Sequence, residues 1–258
     1  MSTFLFDKTI FGPVHSRRLG VSLGVNLLPN DRKLCSFDCI YCECGFGKKV
    51  KGKVDLPTRD DVKTELIKKL SEMRADGVLP DVITFAGNGE PTLHPQFNEI
   101  ISDTIAIRNQ YCPKARVAVL SNASTLANSR VVEALKLVDD NILKLDSAFE
   151  STVEILDRPN YNYSTEKVIN QLSAFGDNLA IQTMFAKWKI DDKVYDNSVQ
   201  AEVDAWIECI KRINPPRVMI YTIDRDTPLQ GMEKVEKKRL DAIAELVKPL
   251  VKDVSVSY

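Results

Sequence analysis

Short β-branched or apolar runs alternate along the chain with longer segments in which apolar residues recur every three or four positions. The first pattern suits a buried strand, the second an amphipathic helix. It predicts strands over Val21–Leu27, Val82–Ala86, Val117–Leu120, Ile142–Leu145, Leu179–Phe185 and Val218–Ile223, with a short extra one over Val254–Tyr258. Between them the helical period predicts Asp60–Ala75, Pro95–Asn109, Ser129–Val138, Thr165–Phe175, Val199–Ile213 and Glu233–Val247. Thr58, Asn128 and Ser164 stand where N-caps belong, and Pro95 falls in a first helical turn. Gly77 and Gly176 fall where helices should stop.

Six strands alternating with six helices imply an α/β architecture with a parallel sheet and right-handed crossovers. No linker-like or low-complexity stretch interrupts the pattern, so residues 1–258 read as one domain. Eight such units would close a barrel. Six leave a partial barrel or an open doubly wound sheet, and periodicity does not separate the two. Either way reacting groups belong at the carboxyl ends of the strands. Polar residues gather there: a cysteine loop after the first strand, Gly87-Asn88-Gly89-Glu90 after the second and Ser121-Asn122 after the third. Lys144, Asp146 and Ser147 surround the end of the fourth, Gln182 and Thr183 lie within the fifth, and Asp224-Arg225 follow the sixth. That register predicts a single active site.

Composition excludes some classes. With 44% hydrophobic and 28% charged residues the chain is globular rather than disordered. No apolar run approaches the roughly 18 residues of a membrane span. The opening residues lack a basic region before their short apolar stretch and make a poor signal peptide, so the expected location is cytoplasmic. The net charge of −1 is unevenly spread: residues 1–59 hold ten Lys/Arg against five Asp/Glu, or +5, which leaves −6 for the rest. A pI near 6.2 argues against a general nucleic-acid binder. A local basic rim remains open, built from Arg17, Arg18, Arg32, Lys33 and the Lys48–Lys53 run, although most such runs are solvated surface.

Four of the six cysteines fall between residues 35 and 44, while Cys112 and Cys209 stand alone. Clustered thiols in a reducing compartment bind metal or react more often than they form disulfides. Cys35-Ser-Phe-Asp-Cys39-Ile-Tyr-Cys42 is C-x3-C-x2-C: three thiolates on one loop can each ligate one iron of a cubane and leave the fourth iron free. Zinc would need a fourth ligand. Cys44 could supply it, but the final C-x-C spacing suits a tetrahedral loop poorly.

This loop, with Tyr41 just before its last cysteine, resembles the signature of the radical S-adenosylmethionine (SAM) superfamily. The segment Ser16-Arg-Arg-Leu-Gly-Val-Ser-Leu-Gly-Val-Asn26, followed by Leu28-Pro29 and the cysteine loop, resembles the wyosine-type Fe–S oxidoreductases within it. The resemblance implies a laterally open, partial (βα)6 TIM-like barrel and two cofactors, a [4Fe–4S] cluster on Cys35, Cys39 and Cys42, and SAM. It also implies reductive cleavage of SAM to methionine and a 5′-deoxyadenosyl radical that takes hydrogen from a substrate. An electron donor such as flavodoxin or ferredoxin is the implied partner.

Further roles follow from the likeness. Gly87-Asn88-Gly89-Glu90 resembles the superfamily's Gly-Gly-Glu motif, with an inserted Asn, which receives the SAM amino group. Tyr41, Ser121, Asn122, Lys144, Asp146, Gln182 and Thr183 occupy positions used for the remainder of SAM, with Lys144 as a carboxylate partner. Read without the likeness, Gly-rich turns are common, and Asn122 and Ser147 cap helices. Arg17, Tyr221 and Arg225 are candidates for the substrate side, against salt bridges or packing. His94 reads as a cap or a packing residue at a helix start, and Trp188 and Trp206 as packing. The activity known in the wyosine neighbourhood, 4-demethylwyosine synthesis, uses a second cluster on N-terminal cysteines, whereas no cysteine precedes Cys35 here. This points away from tRNA condensation with pyruvate. A glycyl-radical-activase-like or other peptide-modifying enzyme and a zinc-binding interaction module stand as alternatives.

Overall fold

A computed structural model describes residues 4–16, 19–47 and 54–258. Two compact units divide the described residues, those within 5–35 and 47–141 forming one, and Phe4 with Ser36–Phe46 and Ile142–Tyr258 the other.

In the first unit β1 (Ile10–Ser16) pairs antiparallel with β2 (Gly20–Val25). β2 runs parallel to β3 (Val82–Phe85), and β3 parallel to β4 (Arg116–Ser121). All four residues of β3 are buried, as expected of a parallel strand covered on both faces. β1 escaped the hydrophobic pattern because most of its residues face outward, Val14 among them. The helices are α1 (Arg59–Ala75), α2 (Phe97–Tyr111) and α3 (Ser129–Leu137). The Thr58 side chain accepts from the Asp61 amide while Asp61 accepts from the Thr58 amide, a capping box that fixes the start of α1. Asn128 caps α3 by accepting from the Arg130 amide. α2 begins two residues later than predicted. Pro91 opens a 3-10 turn over Pro91–Leu93, and the His94 ring accepts from the Gln96 amide at 3.1 Å, which leaves Pro95 in the connection.

β5 (Asp140–Lys144) leads into the second unit. There follow α4 (Glu150–Leu156), α5 (Thr165–Leu172), β6 (Leu179–Met184), β7 (Ala186–Ile190), β8 (Lys193–Asp196) and α6 (Gln200–Ile213). β9 (Arg217–Tyr221), β10 (Glu233–Lys234), α7 (Lys237–Val247) and β11 (Asp253–Ser257) complete it. β9 lies between β6 and β11, parallel to both, so the short strand predicted near Val254 is present. β7, β8 and β10 form a small antiparallel sheet that the periodicity did not predict. Glu233 and Lys234 belong to it, so α7 starts at Lys237 rather than Glu233. Trp206 and Trp188 are both packing residues: the Trp206 indole donates to the Leu145 carbonyl at 3.2 Å and meets Phe185 edge-on, and Trp188 stacks on Tyr195.

Candidate metal centre and cofactor site

Beyond β3 the chain turns through Gly87–Glu90. Gly89 has a φ of 141°, and a Cβ there would lie 1.8 Å from the Leu34 carbonyl oxygen. Only glycine tolerates both conditions. The approach carries two hydrogen bonds, Leu34 N to Asn88 O at 2.8 Å and Glu90 N to Leu34 O at 3.1 Å. Cys35 therefore follows a residue pinned to the β3 loop. The buried Asn88 side chain donates to the Phe6 and Pro29 carbonyls and accepts from the Phe6 amide.

Glu90 is 2% exposed. Its Oε1 accepts from the Thr92 amide and hydroxyl, and its Oε2 accepts from the Asn122 amide at 2.7 Å. Burial pushes the Glu90 carboxyl above the usual range, against hydrogen bonds from Asn122, Thr92 and Ser121 that favour the charged form. The carboxylate thus ties the end of β3 to the end of β4. Ser121 Oγ accepts from the Ala123 amide, Asn122 Oδ1 from the Ser124 amide, and Asn122 Nδ2 donates to Cys35 Sγ at 3.4 Å.

In the second unit the rest of the cysteine loop runs beside the segment after α4. Asp38 N donates to Asp157 O at 3.0 Å, Ile40 N to Leu156 O at 2.9 Å and Asn160 N to Ser36 O at 2.9 Å, with Phe37 bridging to Pro159. Ile40 is fully buried in an apolar cluster with Leu156, Met184, Ala186, Trp188 and Ile223. Cys42 N donates to Cys39 O at 3.1 Å, which tightens the last turn.

Tyr41, between those two cysteines, donates to Asp146 Oδ2 at 2.5 Å. Lys144 contacts both Tyr41 and Asp146 and pairs with Asp157 at 2.8 Å, while Asp146 Oδ1 accepts from the Met184 amide at 2.9 Å. Burial works against the Lys144 charge, yet Asp146, Asp157, Cys39 and Tyr221 together hold its pKa well above the lysine range. Burial pushes Asp157 up to about 7 despite Lys144. Asp157 was not singled out in the sequence, where no helix was predicted over α4 and nothing marks an aspartate between the fourth strand and the next helix as buried.

The other candidates have defined places. The buried Thr183 hydroxyl donates to the Leu145 carbonyl, and the Gln182 carbonyl accepts from the Leu145 amide, so both join β6 to the end of β5. Ser147 donates to Glu202 at 2.6 Å. Tyr221 packs against the Ile40 cluster, and Arg225 pairs with Glu43 at 2.6 Å and lies over the Phe4 ring. Arg17, Arg18 and the Lys48–Lys53 run lie outside the described residues.

Cys35, Cys39 and Cys42 are in no disulfide, and each is half-buried. Among the described residues no three His, Cys, Asp or Glu side chains gather to share one metal ion. A cubane makes a different demand, since each thiolate meets its own iron. Three thiols on one loop, its flanks held by backbone hydrogen bonds and its first sulfur accepting from Asn122, fit that donor set.

The family model described as "Radical SAM superfamily" matches residues 33–183. This chain belongs to the radical SAM superfamily. The radical SAM chain is 32% identical over 237 residues to a protein named GTPase Obg from Brachyspira hyodysenteriae, covering 92% of this chain and 33% of that one. It therefore spans a third of that relative's length. A UPF0026 protein of Helicobacter pylori is 31% identical over 233 residues, covering 90% of this chain and 71% of its own. Among solved structures, a radical SAM methyltransferase from Sphaerobacter thermophilus superposes with a TM-score of 0.67 at 14% identity, over 92% of this chain and 66% of that one. Archaeal TYW1 gives a TM-score of 0.50 at 11% identity, over 89% and 72%. These likenesses show the fold, the α/β partial barrel of the superfamily. The superfamily implies a [4Fe–4S] cluster and SAM, and its enzymes need a reductant. No helix among the described residues is long and apolar enough to cross a membrane.

Proposed function

We propose that this chain holds a [4Fe–4S] cluster on Cys35, Cys39 and Cys42 and uses it to cleave SAM reductively, taking hydrogen from a substrate that is still to be identified. The observation that carries the reading is the C-x3-C-x2-C loop, braced on one side by Leu34 against Gly89 and on the other by Leu156–Asn160. When bound, the cluster and SAM supply the chemistry: one electron enters the sulfonium and the C5′–S bond breaks. The chain's own residues orient those groups. The Asn88 and Glu90 side chains are spent on the fold, so the backbone of the Gly87–Glu90 turn is the part left to receive the amino end of SAM. Asn122, beside Cys35, and Asp146, beside Tyr41, lie next to the loop within their own units. Flavodoxin or ferredoxin is the proposed donor. The residues from Ser16 to Asn26, by their resemblance, support kinship with the wyosine-type oxidoreductases.

Anaerobic reconstitution with iron and sulfide, then dithionite and SAM, should yield 5′-deoxyadenosine by mass spectrometry. Cys35→Ala, Cys39→Ala or Cys42→Ala should each abolish both the cluster's absorbance and SAM cleavage, whereas Cys44→Ala should keep both. A requirement for Cys44 in place of one of the three would overturn the ligand set. Zinc without iron or sulfide would make the chain an interaction module instead.

A further inference from the structure

We propose that the buried group of Lys144, Asp146, Asp157 and Tyr41 sets the reduction potential of the cluster on the cysteine loop, the two carboxylates lowering it and Lys144 raising it. The inference rests on the cluster reading above. Three observations carry it.

The first is position. Tyr41 lies between Cys39 and Cys42 and is hydrogen-bonded to both Lys144 and Asp146, so the buried group touches the cysteine loop through one of its own residues. The second is burial. The side chains of Lys144, Asp146 and Asp157 are 13%, 0% and 2% exposed, so water and salt screen their field far less than they would at the surface.

The third is a second buried carboxylate on one ammonium. Asp146 already pairs with Lys144 and accepts the Met184 amide. Asp157 brings a second carboxylate to the same ammonium, at the cost that its raised pKa records. Bracing of the cysteine loop comes from the Asp157 backbone carbonyl, which accepts from Asp38, and does not use the carboxylate. What the carboxylate adds is buried negative charge on the ammonium that touches Tyr41 of the cysteine loop. Net charge, hydrogen bonds and exposure are what set Fe–S potentials. In the step concerned an external low-potential flavin or Fe–S protein is oxidised by one electron and the cluster is reduced by one, with no bond formed or broken.

The test is a redox titration of the reconstituted protein followed by electron paramagnetic resonance, at about pH 8.5 so that Asp157 is ionised. Asp157→Asn keeps shape and backbone and removes the charge. Its potential should move positive by up to about 59 mV, a tenfold change in the one-electron equilibrium. Lys144→Met should move it negative once the pH is high enough to keep Asp157 ionised without its cation, and Asp157→Glu should stay near the wild type. A role confined to packing would not give shifts of opposite sign. Equal potentials, or shifts of the same sign, in variants with wild-type iron content and circular dichroism would overturn the proposal. Should Asp157→Asn fail to fold, the sign of the Lys144→Met shift decides it. Failure of the wild-type protein to take up any cluster would overturn the cluster reading instead.

Discussion

A methyl group at residue 89 would overlap the Leu34 carbonyl oxygen, and it would sit on a backbone with φ of 141°. Backbone strain of this kind costs about 1–3 kcal/mol, and the clash with a main-chain atom adds to it. Gly89→Ala should therefore lose about 2 kcal/mol or more in urea unfolding and retain less iron per chain after reconstitution, because the residue before Cys35 is displaced. Wild-type iron content in a folded variant would show that the Leu34 contact does not position the first thiol. The glycines were visible in the sequence as a turn facing a cofactor. Their partners, Leu34 against Gly89 and Asn26 against Gly87, were not, since these are close approaches between segments about 55 to 61 residues apart in the sequence numbering. Glu90 illustrates the same limit. Its residue type signals negative charge near a ligand, but its hydrogen bonds to Thr92 and Asn122 depend on how β3 and β4 lie together. Asp157 stood outside the reading altogether, because nothing in the local sequence distinguishes a buried partner of Lys144 from an exposed connection residue.

The strands β2 to β6 and β9 were legible to within about two residues because each is a short, almost wholly buried run, the strongest period-free signal a parallel sheet gives. The β7–β8 hairpin carries a different signature, alternation through Trp188 and Ile190 and then a turn at Asp191-Asp192, and a search for buried runs passes over it. What holds the hairpin is Asn197. Its amide donates to the Asp146 carbonyl at 3.1 Å and the Met184 carbonyl at 2.7 Å, and its oxygen accepts from the Ala186 amide at 2.8 Å. All of these partners are buried. Asn197→Ala would leave them without the side chain, at about 1–3 kcal/mol for an unsatisfied buried group. We expect a loss of about 2–3 kcal/mol, with β7 and β8 amides exchanging with deuterium well before those of β6 and β9. Exchange that speeds up uniformly over the unit would show that Asn197 supports general packing rather than this hairpin.

Over the whole chain, charge is segregated: +5 in residues 1–59 against −6 in the remainder. Four of the positive charges, Lys48, Lys49, Lys51 and Lys53, follow the cysteine loop within a few positions, outside the described residues. A concentration of one sign beside a redox loop raises the encounter rate with an acidic electron donor, and the effect fades as salt shortens the Debye length from about 30 Å at 0.01 M to 8 Å at 0.15 M. Replacing the four lysines with glutamine should therefore slow cluster reduction by reduced flavodoxin several-fold at low ionic strength. The gap to wild type should close as salt is added, and reduction by a small neutral photoreductant should be unchanged. Stopped-flow absorbance at several salt concentrations measures all three. Equal slowing with both reductants would mean that the segment supports the cluster itself. Wild-type rates with flavodoxin at low salt would mean that the lysines are solvated surface, with the segregation of charge serving some partner other than the donor.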